Sequence, residues 1–252
     1  MTFGQYNDPG CKVVNQDLRV SVMKTQTRYN IQVPLLPRRL PPGSIDVSGG
    51  QVEYTGVTLA GGSFENCSFA GAAFEQVRCR HVTFIRAKLP RLLLLDVLLD
   101  VCDLSAASWD EGHIRRTEFT GCRMWATDLY RAQFQDVLFQ ECNAEHAVLA
   151  QTTYKATRFE RCNLTGASFA EADLSAVVFY QCDLSQADLR GARLKGADLR
   201  GSILEGIQVN PQDLRGVIIE PVQAVHIAAA LGIKVLSLDV PMQTDDNKAP
   251  EE

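Results

Sequence analysis

Across 252 residues there are only 2 Trp, 4 Met and 4 His, and 25 Lys and Arg stand against 30 Asp and Glu. The resulting net charge of −5 argues against direct nucleic-acid binding, because a protein that grips the phosphate backbone needs a basic surface. No CxxC or CxxH spacing marks a zinc site. No glycine-rich phosphate loop is present. The opening MTFGQYNDPGCKVVNQ has no apolar segment of the kind a signal peptide carries. The longest apolar run, RLLLLDVLLDVCDL (91–104), is broken by Asp96 and Asp100 and is too short and too charged to span a bilayer. These absences point to a soluble, cytoplasmic chain with no metal, no cofactor and no membrane partner. His81, His113, His146 and His226 are scattered, and the acids beside them in WDEGH (109–113) and ECNAEH (141–146) belong to a polar surface. No catalytic residue is assigned, and the chain is read as a non-enzyme.

A period fills the space these absences leave. In SQADLRGARLKGADLRGSIL (185–204), Leu stands at 189, 194, 199 and 204. Neither a helix, near 3.6, nor a strand, at 2, repeats every five. Stepping back in fives from Leu204 to Tyr54 meets a large apolar or aromatic residue nearly every time; the exceptions are Cys79 and the small Ala144. Of the 11 Phe, 10 fall in this register, which chance does not produce. The residue two before each large one is small or apolar, as in Ala187, Ala192 and Ala197. A spacing of two is that of a strand, and a turn must follow, or the next inward residue would come two later. Asp or Asn just before the large residue (Asp103, Asn163, Asp183, Asp198) suits such a turn. Cys102, Cys122, Cys142, Cys162 and Cys182 recur every twenty residues at the inward site. Four units therefore make one coil, square in section, and the five thiols form a buried ladder that behaves as small apolar side chains. Cys11 is the one cysteine read outside the core. Trp109 is large for its inward slot and is expected to distort its coil.

ADLRG at 187–191 and 197–201 and CDLSQ at 182–186 resemble the A(D/N)LXX motif of the pentapeptide repeat family. The resemblance implies an all-β solenoid, a right-handed quadrilateral β-helix of about 7–8 coils with a short C-terminal helix cap. Residues 51–216 form the β-helix in this reading. Residues 1–50 are an N-terminal arm or cap, 217–239 a C-terminal cap of helix and strand, and 240–252 a disordered tail. Pro221 starts the helix, Gly232 stops it, and IKVLSL (233–238) follows as a strand. QAVHIAAALGIKV (223–235) is similar to the C-terminal segment of the quinolone-resistance pentapeptide repeat proteins, in which it pairs two rods end to end. The resemblance thus implies a homodimer surface of Val222, Val225, Ile227, Ala228, Leu231, Ile233 and Val235.

One coil is unusually apolar on its outside. Ile85, Leu93, Leu95, Leu98 and Val101, with Pro90, occupy outward positions that are mostly polar elsewhere. Such a surface calls for a cover. The Pro-rich arm RYNIQVPLLPRRLPPGSID (28–46), a protein partner, or a loop-out of 90–100 would each account for it. Two functions remain open. The resemblance implies a DNA-mimicking binder of DNA gyrase that modulates it or protects it from inhibitors, and the acidic balance agrees. The near-even mixture of acids and bases along the repeat favours a general protein-interaction scaffold instead. A continuous acidic stripe would favour the mimic, a patchwork the scaffold.

Overall fold

The computed structural model describes residues 31–48 and 51–236. It is a parallel β-solenoid of about 7 turns. The strands are β1 (Pro42–Gly43), β2 (Glu53–Thr55), β3 (Thr58–Ala60), β4 (Ala73–Glu75), β5 (Arg78–Arg80), β6 (Leu93–Asp100), β7 (His113–Thr120), β8 (Gln133–Gln140), β9 (Thr153–Glu160) and β10 (Val178–Tyr180), followed by helix α1 (Gln223–Ala230). Pairing runs in steps of twenty: Leu94 opposite Ile114, Phe119 opposite Phe139, Phe139 opposite Phe159. Four faces follow, each named here by its inward column. The first carries Tyr54 to Leu194, the second Leu59 to Leu199, the third Phe64 to Leu204 and the fourth Phe69 to Val209. β6 to β9 each bend from the first face onto the second. The third and fourth faces are held by single bridges, such as Asp103 to Arg123 and Ser108 to Asp128.

The corners explain the period of five. On the third face Phe84 O accepts from Ala87 N at 2.9 Å, and Arg86 between them has φ 52°. That is the arrangement of a turn with a left-handed third residue. Such a residue stands two after the large one at every corner, and 22 of these corner residues are not glycine. Each costs roughly 1–2 kcal/mol of local strain, which the stacked coils must offset. Side chains before the large residue help. Asp103 Oδ1 accepts from Ser105 N at 2.9 Å, Asn163 Oδ1 from Thr165 N at 3.0 Å, and Asp183 Oδ1 from Ser185 N at 2.9 Å.

Inside, like residues stack on like. Phe119, Phe139, Phe159 and Phe179 form a column with successive ring centroids 4.7, 4.6 and 5.0 Å apart. Beside it Cys102, Cys122, Cys142, Cys162 and Cys182 are buried free thiols. Cys142 Sγ donates to Phe119 O and Gln140 O, both at 3.4 Å, and Cys162 Sγ repeats this one coil on. Ser202 takes the next place in the column and donates to Phe179 O at 3.1 Å. Cys11 lies outside the described residues. Trp109 is fully buried and does not distort its coil: its backbone amide still donates to Asp128 O at 2.7 Å, and Ala106 and Glu111 keep ordinary corner angles, although the indole Nε1 is buried without a partner among the described residues. The next inward site is Gly112, where a Cβ would come within 3.0 Å of the Trp109 carbonyl oxygen. Ala144 leaves a void of about 10 Å³ among Met124, Phe139, Leu149, Phe159 and Leu164. That volume is no larger than one water probe.

Both ends are closed by groups outside the period. At the start, β1 pairs with β3. Residues 31–36 then run along the corner between the first and second faces. Leu35 N donates to Asp96 Oδ1 at 2.8 Å, Gln32 N to Asp136 Oδ1 at 3.2 Å, and Gln76 Nε2 to Leu35 O at 3.3 Å. At the far end, Pro211–Leu214 make a 3-10 turn, and α1 lies across the last coil. IKVLSL does not behave as the sequence reading expects: Ile233–Leu236 is not a strand, and 237–238 lie outside the described residues. Gly232 N donates to Ala229 O and Ile233 N to Ala228 O, both at 2.9 Å, with Gly232 at φ 77°. This closes the helix by a Schellman motif. Ile233 thus spends its amide on the helix and has no neighbouring strand to join.

Candidate functional site

Among the described residues the outer faces of the rod are its extended surfaces, and any binding function falls to them. The apolar patch read from the sequence does not exist as one patch. Leu93 and Leu95 stand on the first face, Leu98 and Val101 on the second, and Ile85 on the third. The reason is geometric: residues close in sequence turn a corner every five positions. Leu93–Asp100 stays in the sheet as β6, so residues 90–100 do not loop out. Leu95 and Leu98 flank the corner along which residues 31–36 run and are half-buried, whereas Leu93 and Val101 are exposed.

Ion pairs join acids and bases along the first and second faces. Asp96 is the most enclosed. Arg116 Nε and Nη2 reach its two oxygens, both at 2.6 Å, and Leu35 N adds a third bond. Burial would raise this carboxyl, but Arg116 and the Leu35 amide overcome that and hold it below the usual range. Arg80 pairs with Asp100 at 3.0 Å, Arg158 with Glu160 at 2.6 Å, Arg161 with Glu141 at 2.8 Å, and Arg200 with Asp198 at 2.6 Å. The Arg200 guanidinium lowers the Asp198 carboxyl in the same way. Exposed pairs of this kind contribute little to stability, about 0–1 kcal/mol each. Their larger effect is on the field: each acid so paired presents little charge to solvent.

No face is a continuous acidic stripe. The first face balances Arg115, Lys155, Arg193, Lys195 and Arg215 against acids such as Glu53, Glu75, Asp173 and Asp213. The third leans acidic, with Glu65, Asp103, Glu145, Asp183 and Glu205 against Arg86 and Arg123. The histidines do not converge. His81 and His146 are corner residues of the second and third faces, His113 lies on the first, and His226 on α1. Among the described residues no three of His, Cys, Asp and Glu are grouped to hold a metal ion. Burial pushes the Cys79 thiol up to about 12, which disfavours the thiolate that metal binding or nucleophilic attack requires. Among the described residues no helix is long and apolar enough to cross a membrane.

The C-terminal end splits the residues read as a dimer surface. Val222, Val225, Ile233 and Val235 are exposed, Ala228 and Leu231 are half-buried, and Ile227 is buried in the core. Ile227 therefore caps the rod and is not available to a partner, because α1 must hide one side against the open last coil. Sequence reading passed over Gln223 beside it, which carries no periodic signal. Gln223 is buried, and its Nε2 donates to Leu199 O at 2.7 Å and to Ser202 O at 2.6 Å, the latter the kind of carbonyl that in earlier coils accepts from the next coil, as Cys182 O does from Ile203 N. Its Oε1 accepts from Glu220 N at 2.8 Å. Gln223→Leu keeps the volume and removes these bonds; the expected loss is about 2 kcal/mol, read as a lower urea midpoint. An unchanged midpoint would show that water can take over both carbonyls.

Residues 93–161 match the family model described as pentapeptide repeat region, and residues 167–206 match that for pentapeptide repeats, in 8 copies. No match was found among the curated proteins. Among solved structures, a trypsin-treated form of QnrB1, a plasmid-mediated fluoroquinolone resistance protein, is 22% identical; 74% of this chain and 98% of that chain are covered, with a TM-score of 0.42. HetL, a pentapeptide repeat protein involved in heterocyst differentiation regulation from the cyanobacterium Nostoc sp. strain PCC 7120, is 20% identical, covering 62% and 84%, with a TM-score of 0.30. A pentapeptide repeat protein from the Arabidopsis thaliana thylakoid lumen is 23% identical, covering 54% and 74%, with a TM-score of 0.22. At these identities and scores no function transfers from any of them.

Proposed function

On the footing that residues 93–161 and 167–206 belong to the pentapeptide repeat family, we propose that this chain is a non-enzymatic, protein-binding rod. One observation carries the reading. The repeat runs from Tyr54 to Leu204 without a slip, and its faces are flat sheets of side chains. Such a surface recognises a partner by shape and charge pattern and offers no enclosed site in which to exclude water from a reaction. Free thiols from Cys67 to Cys182 agree with action in the reducing cytoplasm. Val222, Val225, Ile233 and Val235, exposed at one end, support a homodimer joined end to end.

The acidic lean of the third face favours a second, finer reading: a DNA mimic that binds DNA gyrase and modulates or protects it. The patchwork of the other faces weighs toward the general scaffold. A gyrase supercoiling assay with the protein titrated in, with and without a fluoroquinolone, separates the two. Inhibition at micromolar protein, or rescue from the drug, is the result the mimic requires. No effect in either arm removes gyrase and leaves the scaffold.

A further inference from the structure

The third face differs from the others in how its charges are met. Among the described residues, Arg86 is paired with Glu65 at 2.8 Å, and Glu145 has only His146, at 3.6 Å. Asp103, Asp183 and Glu205 have no ion-pair partner there, and Arg123 is the single unpaired base. The first and second faces, by contrast, hold most of the rod's ion pairs. The fourth leaves four acids and three bases unpaired among the described residues, Asp110, Glu111, Asp128 and Glu171 beside Lys88, Arg91 and Arg131.

A second observation coincides with the first. Trp125 is 48% exposed in the middle of this face. It forms one side of a depression of about 390 Å³ whose other walls are Ile85, Asp103, Ser105, Arg123 and Asn143. Ser105 Oγ is buried there without a partner among the described residues. An aromatic plane, an apolar wall and a carboxylate without an ion-pair partner together match one side chain. An arginine can stack its guanidinium on the indole, donate to Asp103 on the side away from Arg123, and lay its methylenes on Ile85. Exposed tryptophans anchor interfaces more often than other residues.

We infer that the third face is the docking face of the rod, and that its partner is a protein presenting arginine from a basic surface, with Trp125 as the anchor. The inference rests on the protein-binding reading above and specifies the face and the chemistry of the partner.

The repeat supplies a clean test. Asn143 and Asn163 occupy the position of Asp103 and Asp183 in other coils, and Asn163 makes the same turn bond, Oδ1 to Thr165 N at 3.0 Å. Asp103→Asn and Asp183→Asn therefore remove charge and keep the turn. Combined with Glu145→Gln, they strip three charges from the third face. Asp110→Asn, Glu111→Gln and Asp128→Asn strip three from the fourth. A nona-arginine peptide is titrated into each full-length protein at low salt, and binding is followed by calorimetry. The third-face triple should weaken binding about tenfold, and Trp125→Ala roughly threefold, while the fourth-face triple changes it less than about twofold. Equal loss from both triples, or none from Trp125→Ala, overturns the face while leaving a binding rod. Absence of peptide binding to the unmodified chain overturns the basic partner. The gyrase assay fails or succeeds independently of all three.

Discussion

Phe139→Ala lowers the stability of the rod by about 3–5 kcal/mol, the usual range for a buried aromatic cut to alanine. Phe139 is 2% exposed. It stacks on Phe119 at 4.7 Å and 12° and on Phe159 at 4.6 Å and 4°, and meets Phe134 edge to face at 5.7 Å. Losing the ring removes contacts in two neighbouring coils at once. The damage also lies next to the existing void at Ala144, so collapse toward the gap is poorly supported. In a solenoid each coil touches only its neighbours, and stability is close to a sum of coil and interface contributions. A weakened middle coil should therefore uncouple the two halves and add a second transition to urea unfolding, read through the fluorescence of Trp109 and Trp125. Phe139→Leu should cost much less, since Leu fills the equivalent slot at Leu99 and Leu199. A single transition with a loss below about 1 kcal/mol would mean that the stack is not a principal source of stability.

Asp96→Ala is the second large effect, about 3 kcal/mol, because it leaves the Arg116 guanidinium enclosed without its partner. The pair is bidentate and both side chains are largely covered, 5% exposed for Asp96 and 14% for Arg116. The same carboxylate holds the Leu35 amide, so the variant should also release residues 31–36 from the corner. Trypsin reports this directly, since Arg38 and Arg39 are exposed just beyond; cleavage there should quicken. The pH dependence has a definite sign. The folded carboxyl sits below its ordinary range, so its contribution is complete above the unfolded value, about 3.9. It is lost as pH falls through the folded value. Wild type and Asp96→Asn should therefore differ in melting temperature at neutral pH and converge as pH falls through the lowered folded value. A difference that persists undiminished in acid would place the effect in packing and not in charge.

The coils were readable from one dimension because their contacts are periodic in one dimension. Every inward residue meets partners at fixed separations of five and twenty, so Leu189, Phe139 and Cys142 announce their slots by position alone. The turn acids are legible for the same reason: Asp103 and Asn163 serve amides two residues away. What the residues could not announce are contacts that answer to no period. Asp96 and Asp136 look like any outward acid, yet they hold residues 31–36, because two faces meet there and the arm passes over that corner. Gln223 matters because a rod that stops leaves carbonyls open, and only the folded end shows which side chain reaches them. Ile227 looks from sequence like partner surface, yet the helix presses it inward against the open coil. The split of Ile85 from Leu93 and Leu98, and the pairing that leaves the third face with unmatched acids in excess of bases, arise from the corners. Side chains eight or thirteen residues apart then look in different directions, and charges twenty apart stand within reach of one another.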